Sequence, residues 1–225
     1  NKRTEESLKK AAIVLENILV SERQYAKNDP YVLSLLSVIY AHFSYRSWHF
    51  GVKDSSSIKR AKELAQKAYS AKKMASSARA LGNVYLILGD KAKALKYLKE
   101  ANKGKKKSAE TLYYIACASS GSFTDANSAA GKKIREALKV DPKFLWALED
   151  MVMDYLYKGN VTQAEEYLKK LESAHSSHPD LPFYRGLVAL HKGDKDSAKQ
   201  EFRRYAQMNP DSDLTGRLQP FLQTE

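Results

Sequence analysis

The chain is predicted to be all-helical: a solenoid of antiparallel helix pairs, built from a unit that recurs about every 34 residues. One observation is the stretch Ala78–Ala101, ARALGNVYLILGDKAKALKYLKEA, in which two amphipathic segments flank Gly89-Asp90. Gly89 can take the left-handed conformation that ends a first helix, and Asp90 can cap the start of a second. A second observation is that the turn returns. Gly159-Asn160 and Gly193-Asp194 stand 34 residues apart, and Gly89 to Gly159 spans two such periods plus two residues. The third is that the packing residues keep step. A small residue follows each turn (Ala94, Ala130, Ala164, Ala198) and a large one lies four beyond it (Leu98, Ile134, Leu168, Phe202). Gly82 and Ala94 are the places where two helix backbones can approach closely.

In chain order, Thr4–Lys27 reads as a first helix from Leu8, Ala12, Leu15, Leu19 and Tyr25 at helical spacing. Asp29-Pro30 supplies a cap followed by proline at the first helical position, opening a second helix. That helix runs toward His49 and is rich in aromatics: Tyr31, Tyr40, Phe43, Tyr45, Trp48 and Phe50, with Gly51 ending it. The run Asp54–Ser57 is read as the cap of a third helix from Ile58 to Ala71, buried along Ala61, Leu64, Ala65 and Ala68. After the organising hairpin come Ser108–Ala118 and Asn127–Val140, joined by SSGSFTD at Ser119–Asp125, where the two extra residues must lie. Lys143–Lys158 pairs with Val161–Ser173, and Asp180–Lys192 with Lys195–Gln207. A short capping helix is expected over Asp213–Gln219, limited by Pro220. The domain reading is one solenoid over 1–225: an N-terminal helix (1–29), a degenerate repeat (30–73), repeats at 75–107, 108–142, 143–178 and 179–210, and a cap (211–225). Repeats cannot bury their apolar faces singly, which favours one array over several domains.

Residues 75–210 resemble the tetratricopeptide-repeat family. Leu81-Gly82-x-x-Tyr85 matches its first-helix pattern, Ala94-x-x-x-Leu98-x-x-Ala101 its second, and Ala137-Leu-Lys-Val-Asp-Pro142 its hairpin ending. Ala78 stands where the family often has Trp, and Ile115-Ala116 and Met151-Val152 replace Leu-Gly. The resemblance implies about four to five repeats in a right-handed superhelix, with a concave groove, lined by the first helix of each repeat, that binds peptides or partner helices.

Mapped onto that groove, the non-core positions are Arg79, Asn83 and Leu86, then Tyr113 and Cys117. They continue with Trp146, Glu149, Met153 and Tyr157, and then Phe183, Leu187 and His191. The face is more apolar and aromatic than a solvated one, as binding surfaces are; packing between repeats is the alternative use of the same aromatics. Arg79 and Asn83, four apart on one helix face, suit a carboxylate. Chaperone-binding relatives grip a terminal carboxylate with such a pair, but they need matching Asn and basic residues in later repeats. Here those places hold Tyr113, Cys117, Glu149 and Met153, so the clamp is incomplete.

Charge is concentrated. Residues 58–107 carry fifteen Lys or Arg against Glu63, Asp90 and Glu100, which accounts for the whole formal charge of +12. Lys91, Lys93, Lys96, Lys99 and Lys103, with Lys105, Lys106 and Lys107, form a basic patch. Either it is a solvated face that keeps the chain soluble, or it docks an acidic protein, an anionic membrane or nucleic acid. Specific base reading is not expected, for want of a nucleic-acid motif or aromatic interleaving on that helix.

No catalytic constellation is legible. His175-x-x-His178 lies in a Ser-rich connector without Cys, Cys117 has no local His partner, and no phosphate-cradling glycine loop appears. No cofactor and no metal are expected. The single cysteine precludes an intramolecular disulfide. No run is long and apolar enough to span a bilayer. The chain begins at Asn1 rather than Met, read as a processed or excised piece from which flanking segments could have been cut away. It is expected to be a soluble domain, in the cytoplasm or, in a bacterium, the periplasm. The function expected is a non-enzymatic adaptor holding a partner peptide or helix. The alternatives are charge-driven binding through 58–107 and a structural spacer or self-assembling scaffold; a homo-oligomer is possible.

Overall fold

In the computed structural model, residues 2–20, 28–44, 55–210 and 212–223 are described, and all regular structure among them is α-helical. The helices gather into two compact units, divided between Ser120 and Gly121. The first holds α1 (Lys2–Val20), α2 (Pro30–Ser44), α3 (Ser55–Ala71), α4 (Ala75–Ile87), α5 (Lys91–Ala101) and α6 (Ala109–Ala118). The second holds α7 (Ala129–Val140), α8 (Leu145–Tyr157), α9 (Val161–Ala174), α10 (Leu181–His191), α11 (Lys195–Met208) and α12 (Asp213–Gln223).

The expected hairpins form for local reasons. Gly89 (φ 82°) ends α4, and Gly159 (φ 71°) and Gly193 (φ 83°) end α8 and α10 in the same left-handed conformation. The following side chain caps the next helix in each case. Asp90 accepts from the Lys93 N–H at 3.0 Å, Asn160 from Gln163 at 3.2 Å and Asp194 from Ser197 at 3.0 Å. At the start of α2, the Asp29 carboxylate accepts from the Tyr31 and Val32 N–H groups at 2.8 and 3.0 Å. The helix α7 begins two residues later than its sequence limit because Ser128 is its cap, accepting from Gly131 N–H at 2.8 Å.

Close backbone approach occurs where the small residues stand. A Cβ built on Gly82 would lie 2.5 Å from Leu98 Cγ, and one on Gly186 would lie 2.5 Å from Phe202 Cε1. Both large partners are fully buried, so neither can withdraw. Gly82→Val is therefore expected to destabilise by about 2–3 kcal/mol through overpacking, seen as a lowered urea midpoint at unchanged m-value. An unshifted midpoint would mean that the α4–α5 contact relaxes freely.

In the first unit, one core joins α1, α2 and α3 through Ala12, Leu33, Leu36, Ile39, Leu64 and Ala68. A second joins α2, α3 and α4 through Ala41, Ala61, Ala65, Ala80, Leu81, Val84 and Ile87, with Tyr69, Tyr85 and Tyr97 packed against it. In the second unit, α8 pairs with α9 and α10 with α11, around Leu148, Met151, Leu156, Leu171, Val188 and Phe202.

Three sequence expectations change or fall outside the described residues. The serines after Asp54 lie inside the first turn of α3, with Ser57 buried, rather than before it. Pro220 does not limit the last helix: α12 continues through it to Gln223. The lost N–H and the carbonyl it would have met are on an exposed face open to water, while Phe221 packs edge-on against Phe202 at 5.5 Å and holds the final turn. The predicted helical stretches 21–27 and 45–50, with Gly51 and Asp54, lie outside the described residues.

Candidate functional site

In the first unit the structure removes three predicted groove residues from the surface, Leu86 among them at 3% exposed. Asn83 is only 6% exposed and Tyr113 only 2%, Tyr113 lying against Tyr114 at 5.7 Å. Arg79 is already engaged: its Nε lies 3.3 Å from a Glu110 carboxylate oxygen, and Nη1 donates to Ser108 Oγ at 3.5 Å. Arg79 thus ties α4 to the start of α6, and the Arg79–Asn83 face holds no open carboxylate site. Cys117 is half-buried.

In the second unit the predicted positions form a graded surface on α8. Trp146 is half-buried, edge-on to Phe144 at 5.6 Å; Met153 is half-buried; Tyr157 is 89% exposed. Spaced 146, 153 and 157, they fall on one stripe of the helix. The neighbouring α10 contributes Leu187, also half-buried. Phe183, expected on the same face, is instead 7% exposed and packed among Tyr184, Phe202 and Tyr205, with ring centroids 5.6–6.0 Å away.

Glu149 lies on the same helix, its side chain only 15% exposed. It meets residues about thirty positions on: His178 Nε2 lies 3.8 Å from Oε1, the Tyr184 hydroxyl lies against the carboxyl, and Asp180, together with the adjacent Asp150, is close enough to repel it. Burial first, then these two acids, push the Glu149 carboxyl up to about 8. Burial also lowers His178, more than Asp180 raises it, with His175 lowering it further. Both shifts disfavour charge, so the 3.8 Å contact joins neutral groups near neutral pH and is not an ion pair. Donor atoms of Glu149, His178 and Asp180 lie within 4.8 Å of one another, close enough for one cation to reach all three. However, His178 Nδ1 accepts from the Asp180 N–H at 3.4 Å, leaving the proton of the neutral ring on Nε2. That tautomer presents an N–H, not a lone pair, toward Glu149.

The loop before α7, where two residues exceed the period, is also held by partners that sequence spacing does not reveal. One oxygen of Asp154 in α8 accepts from Ser122 Oγ, Thr124 N–H and Thr124 Oγ1 at 2.5, 2.9 and 2.8 Å. Burial alone would raise Asp154; these bonds and the Lys158 charge prevail, and its pKa is lowered. Arg135 donates to the Thr124, Gly131 and Phe123 carbonyls.

The eight lysines of the basic patch are all exposed. Aromatic interleaving, not expected there, is present once the fold brings α3, α4 and α5 together. Tyr97 stacks on Tyr85 at 5.7 Å and meets Tyr69 edge-on at 5.3 Å, while the Lys73, Lys93 and Lys96 ammonium groups sit 5.8, 5.3 and 5.6 Å from the Tyr69, Tyr85 and Tyr97 centroids.

Residues 150–213 match the family model of the tetratricopeptide repeat. Over that stretch the chain carries the tetratricopeptide-repeat pattern. Its fold is similar to that of a tetratricopeptide repeat protein from Parabacteroides merdae ATCC 43184 (TM-score 0.69, 13% identity, 99% of this chain and 80% of that one). PilW, a widely conserved type IV pilus biogenesis factor, is similar too (TM-score 0.65, 15% identity, 97% and 93%), as is Pseudomonas aeruginosa pilF (TM-score 0.61, 12% identity, 97% and 92%). At these identities the likeness is one of fold. The sequence matches none of the curated proteins with which it was compared. Among the described residues, no helix of this repeat protein is long and apolar enough to cross a membrane.

Proposed function

We propose that this tetratricopeptide-repeat protein is an interaction scaffold that holds an apolar segment of a partner protein on the α8–α10 face of its second unit. The observation that carries this reading is the stripe of Trp146, Met153 and Tyr157 on α8, ending in a tyrosine that is 89% exposed. A large aromatic left in water on a repeat helix costs solubility and contributes nothing to the core, whereas burial under a partner would recover about 1.5–3 kcal/mol per anchor. Two or three anchors support micromolar affinity after association costs. Tyr113, Asn83 and Phe183 are excluded as direct contacts by their burial, leaving Trp146, Glu149, Met153, Tyr157 and Leu187 as the residues a partner would meet.

The test is capture by the immobilised protein from its own cell's lysate, with and without high salt, against a Trp146→Ala/Tyr157→Ala variant of unchanged helicity. A partner retained in high salt and lost with the variant is the expected result. Retention only at low salt, indifferent to the variant, would overturn this reading.

A further inference from the structure

We infer that the lysine face of residues 59–107 is a second docking surface, separate from the α8–α10 face, and that its occupant is an acidic segment of a partner protein. The stretch holds fifteen basic residues and only Glu63, Asp90 and Glu100 as acids. Each of those acids is already engaged. Glu63 lies 3.8 Å from Arg60, Asp90 lies 2.8 Å from Lys93, and Glu100 accepts from the Tyr69 hydroxyl at 2.8 and 2.9 Å. Among the described residues, Lys91, Lys96, Lys99, Lys103, Lys105 and Lys106 have no carboxylate within ion-pairing distance. They are exposed on α5 and the connector after it. A row of uncompensated cations attracts a complementary row of anions and speeds its encounter.

The tyrosines decide which kind of anion fits. Single-stranded nucleic acid is gripped by open aromatic faces on which bases stack. Here Tyr85 and Tyr97 stack on each other, and the chain's own ammonium groups sit over the Tyr69, Tyr85 and Tyr97 rings. Those faces are spent on holding Lys73, Lys93 and Lys96 in place. A membrane-surface site sinks apolar side chains beneath its cations. Of the exposed large apolar residues described, only Leu88 belongs to this stretch. What remains is a surface of ammonium groups, several held by rings, without a stacking platform or an apolar wedge. Carboxylates on a protein segment need nothing more.

The experiment uses the full chain and a fluorescent Glu-rich helical peptide, titrated between about 50 and about 200 mM salt. Lys91→Glu/Lys96→Glu/Lys99→Glu is compared with Lys169→Glu/Arg203→Glu/Arg204→Glu, which changes the net charge equally in the second unit. All six positions are exposed, and thermal melts verify that both variants fold. The expected result is at least tenfold weaker peptide binding by the first variant, little change in the second, and full binding by Trp146→Ala/Tyr157→Ala. Equal losses in both charge variants would show attraction by net charge alone and overturn the site. Tighter binding of oligouridine, or of phosphatidylserine-containing vesicles, than of the peptide would overturn the choice of occupant.

Discussion

Lowering the pH from about 9 to 6.5 is expected to stabilise the second unit by on the order of 2 kcal/mol, and Glu149→Gln is expected to remove most of the effect. The sign follows from burial. Glu149 has a folded-state pKa of about 8 against an ordinary 4.5. Ionising it in the folded state is therefore penalised, so stability is lost as pH rises through the interval between those values and is lowest above 8. His178 works oppositely. Its lowered pKa means that protonation below its ordinary 6.5 favours the unfolded chain, whereas the raised Asp180 favours the folded one. Folded Glu149 titrates within this window, and Glu149→Gln separates its share from those of His178 and Asp180. Glutamine keeps the shape and a carbonyl for the Tyr184 hydroxyl but cannot ionise. Urea unfolding at several pH values measures the effect; a flat profile for the parent, or the same slope in Glu149→Gln, would sink the assignment. Because Glu149 borders the proposed binding face, a partner that brings a cation there should lower its pKa and bind more strongly as pH rises.

Gly131→Ala is expected to cost about 3 kcal/mol or more, despite exchanging a poor helix former for the best one. A Cβ at that position falls inside the van der Waals envelope of the Asp125 carbonyl oxygen, and also 3.0 Å from Arg135 Nη1. Asp125 cannot move aside cheaply, because Ser128 Oγ donates to its carbonyl at 3.0 Å while Asp154 and Arg135 pin the residues before it. The alanine must therefore either unseat the loop or displace the start of α7. Hydrogen exchange separates the outcomes: lost protection at Thr124 N–H, which donates to Asp154, reports an unseated loop. Asp154→Ala should free the same amide without crowding α7. A double variant no less stable than Asp154→Ala alone would show that the Gly131 penalty is the penalty of a pinned loop. A Gly131→Ala protein as stable as its parent would refute the close approach itself.

Local chemistry determined most of the architecture. A glycine followed by Asp or Asn gives a left-handed helix end and a side-chain cap within five residues, so the turns at Gly89, Gly159 and Gly193 were readable directly. The small residues Gly82 and Ala94 likewise marked where two helix backbones approach, and Gly82 lies against Leu98. Tertiary structure decided what covers each helix face. Helical periodicity gives the direction in which Asn83, Tyr113 and Phe183 point from their own axes; only neighbouring helices determine that all three are buried. The Glu149 cluster, the Asp154 tether and the Arg79–Glu110 pair join residues about thirty positions apart, a full repeat in sequence yet side by side in space. The tyrosines beneath the lysines were invisible for the same reason, since they come from three different helices. Spacing encodes which way a side chain faces, while its environment, and hence its charge and availability to a partner, depends on the helix packed against it.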